Sequence, residues 1–185
     1  MSKLKQQNDE MVDAFNTLYY ALRSLTYHRA IKEVDPGESK FWAHTQSQFM
    51  RTFVMEWCKV FGTYDNKLHW IHLAKDEAGF RAHILNAVGI TEAEWKIYHD
   101  EIVAFRNDYV AHVNPEQRPE SVPDMTKART ILIAGYQWLR LQSIASGEEH
   151  SGPDDIETLV GELYEEALDL IGAGIEATKD MPEEN

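Results

Sequence analysis

Apolar residues recur every three or four positions along most of the chain, the period of an amphipathic helix rather than a strand. Between about Asp9 and Lys32 the apolar positions are Val12, Phe15, Leu18, Tyr19, Leu22, Leu25 and Ile31. The stretch DPGES, residues 35–39, breaks this helix and supplies a cap for the next. A second segment runs from about Lys40 to Val60 with Phe41, Trp42, Phe49, Phe53, Val54 and Trp57, followed by Phe61, and Gly62 stops it. GTYDNK reads as a loop, and LHWIHL is too short to assign. A helix over about Asp76–Ala87 follows, ended by Gly89.

The sharpest boundary lies in GITEAEWKIYHDEIVAFRNDYVAH. Thr91 followed by Glu94 is a capping-box pair, in which each side chain reaches the other residue's backbone N–H. The stripe Trp95, Tyr98, Ile102, Phe105 and Tyr109 then continues toward His112. The loop VNPEQRPESVPD carries three prolines and cannot be helix interior. Asp124 or Thr126 caps a helix to about Ile144, SGEEHSGPDD is a linker, and an acidic amphipathic helix occupies about Asp155–Ala177. With no β-alternation and no internal repeat, the pattern predicts an all-α helical bundle of about five to seven helices. Residues 1–147 form one helical domain, and 148–185 an acidic C-terminal helix packing on or extending it. The aromatics, lying on helical stripes, are read as core.

Composition narrows the picture little, except through charge. At 185 residues the chain suits one core. A lone cysteine, Cys58, cannot close an internal disulfide and points to a reducing compartment. The polar start MSKLKQQNDEMVD resembles no signal peptide, and ILIAGYQWL is too short for a membrane span. A cytoplasmic location with no membrane partner is expected. The net charge of −13 disfavours nucleic acid until its distribution is considered. From Glu148 onward there are 13 acidic residues against Lys179 alone, so the rest of the chain is nearly neutral. The acidic block is either a solvated helix face or a shield over something basic.

No P-loop, Rossmann fingerprint, nucleophile elbow or cysteine-based zinc pattern is present. No cofactor and no metal is expected. His69 and His72 are spaced to share a helical face, but two imidazoles do not make a zinc site. Cys58, between Trp57 and Lys59 in EWCKVFG, reads as a packing thiol rather than a reactive one. Arg106, Asn107 and His112 remain. In an α-helix, six residues separate Arg106 from His112 by about 120° around the axis and about 9 Å along it. The two cannot stack on one face. His112 sits in a last helical turn, where the dipole favours a cation, and Asp108 could pair with it. Arg106 could equally pair with Asp100 or Glu101.

FRNDYVAH also resembles the signature of the HEPN superfamily: an arginine, a polar residue, and a histidine a few positions on. EWCKVFGTYDNKLHWIHL, GITEAEWKIYHDEIVAFRNDYVAH and VPDMTKARTILIAGYQWL stand in the order of a subgroup similar to abortive-infection proteins of the U type (AbiU-like). The resemblance covers roughly residues 10–145 and implies a helical bundle, a two-fold homodimer, and often a metal-independent endoribonuclease in a toxin or phage-defence role. It would make Arg106 the holder of the scissile phosphate and His112 the general acid/base for attack by the ribose 2'-hydroxyl. Asn107 would orient the pair, and the product would be a 2',3'-cyclic phosphate. Two helices meeting across a two-fold axis would unite residues that one helix holds apart. Asn114 stands where some members carry a modifiable tyrosine, so that regulation is not implied. Cleavage would need a basic surface, for which Arg23, Arg29, Lys32, Arg51 and Lys59 are candidates. A non-catalytic module binding nucleotide, nucleic acid or an antitoxin-like protein, or a purely structural dimer, stays open beside the enzyme.

Overall fold

A computed structural model describes residues 3–111, 122–147 and 152–180. Among these, seven α-helices form a bundle and there is no strand. They are α1 (Lys3–Val34), α2 (Lys40–Phe61), α3 (Trp70–Leu73), α4 (Glu77–Val88), α5 (Glu92–Phe105), α6 (Met125–Ala145) and α7 (Ile156–Thr178). His112, Asn114 and the linker residues 148–151 lie outside the described residues, as does the side chain of Tyr109.

Helices α1 and α2 are a long antiparallel hairpin. Their connection turns on Asp35 and Gly37, both with positive φ (52° and 66°), and the Asp35 carboxylate accepts the Gly37 N–H. Ser39 then caps α2 by accepting the Trp42 N–H. Midway along the hairpin His28 and Gln46 bond each other's backbone carbonyls. α4 is capped by Asp76 and ends at Gly89 in the left-handed conformation, φ 71°. The Thr91–Glu94 capping box is formed in both directions.

The core follows from the stripes. Trp57 of α2 is fully buried and meets Phe61, Trp95 and Tyr98. Trp70 of α3 stacks on Phe80 of α4 with ring centres 4.9 Å apart. α6 runs through the core, with Ile131 through Tyr136 buried in succession. Gly135 permits this, because a Cβ there would stand 2.8 Å from Phe61 Cζ. The Tyr98 hydroxyl donates to the Asp124 carbonyl at 2.7 Å and ties α5 to the start of α6. α7 feeds Ile156 and Val160 into this core, while Ala167 and Ile171 form a smaller cluster with Ala30 and Ile31 of α1.

Three details depart from the sequence reading. Val12 and Phe41 sit on the predicted stripes but are exposed. The helix carrying the Arg106 motif does not stay α-helical. It widens to a π-helical segment over Arg106–Ala111. Asn107, Asp108, Tyr109 and Val110 are all weak helix formers, so the α ladder is least supported there. The i→i+5 winding turns the chain less per residue than an α-helix does.

Candidate functional site

Arg106 and Asn107 open the π segment, which packs against α2. Arg106 is half-buried, its Nε is shielded from water without a hydrogen-bond partner, and its charge is felt by the Cys58 thiol on α2. Neither Asp100 nor Glu101 pairs with it. Asp100 instead holds Lys96, four residues earlier, at 2.6 Å. Asn107 and Asp108 are exposed. Cys58 itself is buried, and burial raises its thiol to about 12 against a smaller downward pull from Arg106. That is a packing cysteine, not a nucleophile.

Beside this segment runs a groove of about 1040 Å³. α1 contributes Arg29 and Lys32, α2 contributes Arg51, and α6 contributes Arg129. Phe105 and Val110, which flank the Arg106 turn, form part of its wall. Among the described residues Glu33 is the one carboxylate on the lining, so they give the groove an excess of positive charge on a chain of net −13. Arg29 and Arg129 stand close enough to feel each other's charge. Arg129 is lowered from its ordinary value by burial and then by the charge of Arg29, with Glu157 of α7 opposing. Its Nε is buried and without a partner. Arg29 spends its charge on the Tyr164 ring, 5.5 Å away. Buried N–H donors without acceptors, in a field of like charge, suit an anion.

Of the five basic residues singled out from sequence, Arg29, Lys32 and Arg51 line this groove. Arg23 lies over the Tyr27 ring and Lys59 pairs with Glu56, and neither is on the groove lining. Arg129 was missed. It stands in MTKART, beyond the proline-rich loop, and no local pattern marks it.

The histidines have a different use. The Nε2–H groups of His99 and His72 donate to the carbonyls of Gly62 and Tyr64, at 2.9 and 2.8 Å. A carbonyl can only accept, which sets the His72 tautomer, while His99 also turns its Nδ1 to the Asp100 carboxylate at 3.4 Å. His69 Nδ1 accepts the Ile71 N–H and so caps α3. The imidazoles therefore clamp the turn that ends α2, where helix-terminal carbonyls need donors. His69 is buried, and its imidazole is lowered to about 4 by burial, with the nearby His72 and His99 adding to the effect. Among the described residues no group of three or more His, Cys, Asp or Glu side chains could hold a metal ion.

Fold and groove together define an all-α bundle with a cationic groove across one face. No protein-family model matches the chain, and no curated protein or solved structure matches it either. Among the described residues no helix is long and apolar enough to cross a membrane.

Proposed function

We propose that the chain is a HEPN-like protein that binds RNA in the α1–α2–α6 groove and cleaves it as a two-fold homodimer without a metal ion. One observation carries this reading: Arg29, Lys32, Arg51 and Arg129, drawn from three helices, line one groove that reaches the turn bearing Arg106 and Asn107. Phosphate affinity rests on such cations, and a guanidinium short of acceptors suits phosphate oxygens. In this scheme Arg106 stabilises the scissile phosphate, and His112, with an imidazole suited to proton transfer, serves attack by the 2'-hydroxyl. Asn107, exposed at the turn, orients them. The two-fold partner supplies the second copy of each. A toxin or phage-defence role follows, with an antitoxin protein as a further partner.

The half-buried placement of Arg106 against α2 favours a second reading, a non-catalytic module that binds nucleotide or nucleic acid through the groove alone. Incubating mixed RNA substrates with the wild type, Arg106→Ala and His112→Ala in chelator separates the two. The first reading expects cleavage to cyclic-phosphate ends by the wild type and loss in both variants. Binding without cleavage, or cleavage unchanged in His112→Ala, refutes it. Relief of expression toxicity by Arg106→Ala would support the toxin role.

A further inference from the structure

A second cleft lies at the other end of α2 and α5. The groove meets α2 at residues 46–51, whereas this cleft meets it at Phe61. Ten residues from Arg51 to Phe61 place the two about 15 Å apart along the helix. The cleft has a volume of about 680 Å³, within the range of small-molecule sites. Its wall is made of flat rings. Tyr64 is 58% exposed, and its ring centre is 4.8 Å from that of His69. Trp95 and His99 line the wall on α5, with ring centres 6.2 Å apart.

The rim carries hydrogen-bond donors in excess of their use. Arg81 of α4 lies over Trp70 and bonds Glu92 at 2.6 Å, and no other hydrogen bond of its five N–H donors is found among the described residues. Lys96 bonds Asp100 on the exposed surface. Both ion pairs are solvent-exposed on the carboxylate side, where such pairs contribute little and exchange readily. The histidine clamp keeps the floor rigid, because the 61–64 turn is bonded from two other elements. Flat walls call for a flat ring, and an anion would share Arg81 and Lys96 with Glu92 and Asp100, which also line the cleft, through the donors that these exposed ion pairs leave free.

We propose that this cleft binds a small planar aromatic molecule bearing an anionic group, its ring against Tyr64 and Trp95 and its charge at Arg81 and Lys96. Nucleoside monophosphates and aromatic carboxylates share that chemistry. The site is separate from the groove and does not depend on the chain being a nuclease. His69 supports it by remaining an uncharged ring at neutral pH, so the wall does not repel a cationic rim or attract a bare anion inward.

The test is a titration of the full chain with AMP and with indole-3-acetate. AMP binding is read by the intrinsic fluorescence of the cleft tryptophans and both probes by calorimetry. Adenosine and ribose 5-phosphate are the controls that lack the charge or the ring. Tyr64 is exposed and Lys96 lies on the surface, so Tyr64→Ala and Lys96→Gln leave the core intact. We expect at least one probe to bind, with roughly tenfold weakening in Tyr64→Ala, the scale of one lost stacking contact. Weakening in Lys96→Gln and unchanged affinity in Arg129→Gln are also expected. AMP binding alone would identify the nucleotide class, and indole-3-acetate alone the carboxylate class. Absence of binding by both at millimolar concentration overturns the proposal. So does ribose 5-phosphate binding as tightly as AMP, or AMP binding lost in Arg129→Gln but intact in Tyr64→Ala, which would place it in the groove.

Discussion

Acidification should destabilise this protein through His69 before most of its carboxylates titrate. The ring accepts the Ile71 N–H through Nδ1, so protonation removes the cap of α3 and places a charge in a buried position. Its imidazole is lowered to about 4, whereas the unfolded ring titrates near its ordinary 6.5. The unfolded chain therefore binds the proton first. Stability is complete above about pH 6.5, falls as pH drops, and the loss is complete below about pH 4. At about 1.36 kcal/mol per unit, the full loss is on the order of 3 kcal/mol, with about 2 kcal/mol of it reached by pH 5. Urea unfolding followed by circular dichroism at pH 7.5, 6 and 5 measures it, with His69→Asn as the reference. Asparagine is a good N-cap without a titratable ring. His28 is also lowered by burial and adds to the acid sensitivity of both proteins, so the quantity of interest is the difference between them. The wild type should lose more stability than His69→Asn between pH 7.5 and 5, by about 2 kcal/mol. A difference that stays constant across this range would refute the role given to His69.

Salt should weaken RNA binding in proportion to the groove cations. Four contacts to single-stranded RNA give a slope of about −2.8 in log affinity against log salt, and Arg129→Gln should bring it to about −2.1. Fluorescence anisotropy of a labelled oligonucleotide reads both slopes, and an unchanged slope would remove Arg129 from the interface. Thr91→Ala should cost about 1 kcal/mol in urea unfolding by opening the capping box, while Thr91→Ser should cost little. Cys58 should resist iodoacetamide in the native protein at pH 8 and react promptly in denaturant, as mass spectrometry would show. Prompt native modification would contradict its burial and its raised thiol.

Local chemistry was legible in the residues themselves. Ser39, Asp76, Thr91, Asp124 and Asp155 each cap a helix by bonding N–H groups only two or three residues away. Such contacts depend on neighbours in sequence, as do the stripes that bury Leu18, Trp57 and Ile102, and so the helices and much of the core could be read directly. What tertiary packing decided are contacts between residues far apart. Arg129 joins Arg29 and Arg51 only because α6 settles against the α1–α2 hairpin, and no period in MTKART records that neighbour. Nothing in sequence shows what His72 and His99 do, and they serve carbonyls at the end of α2, one of them 37 residues away. Arg106 was legible as a motif, but its half-buried place on a π-helical segment packed against α2 was not. Periodicity reports which face of a helix is apolar. Which other helix covers that face, and therefore which charges meet across it, is set by packing between segments that the chain brings together only when folded.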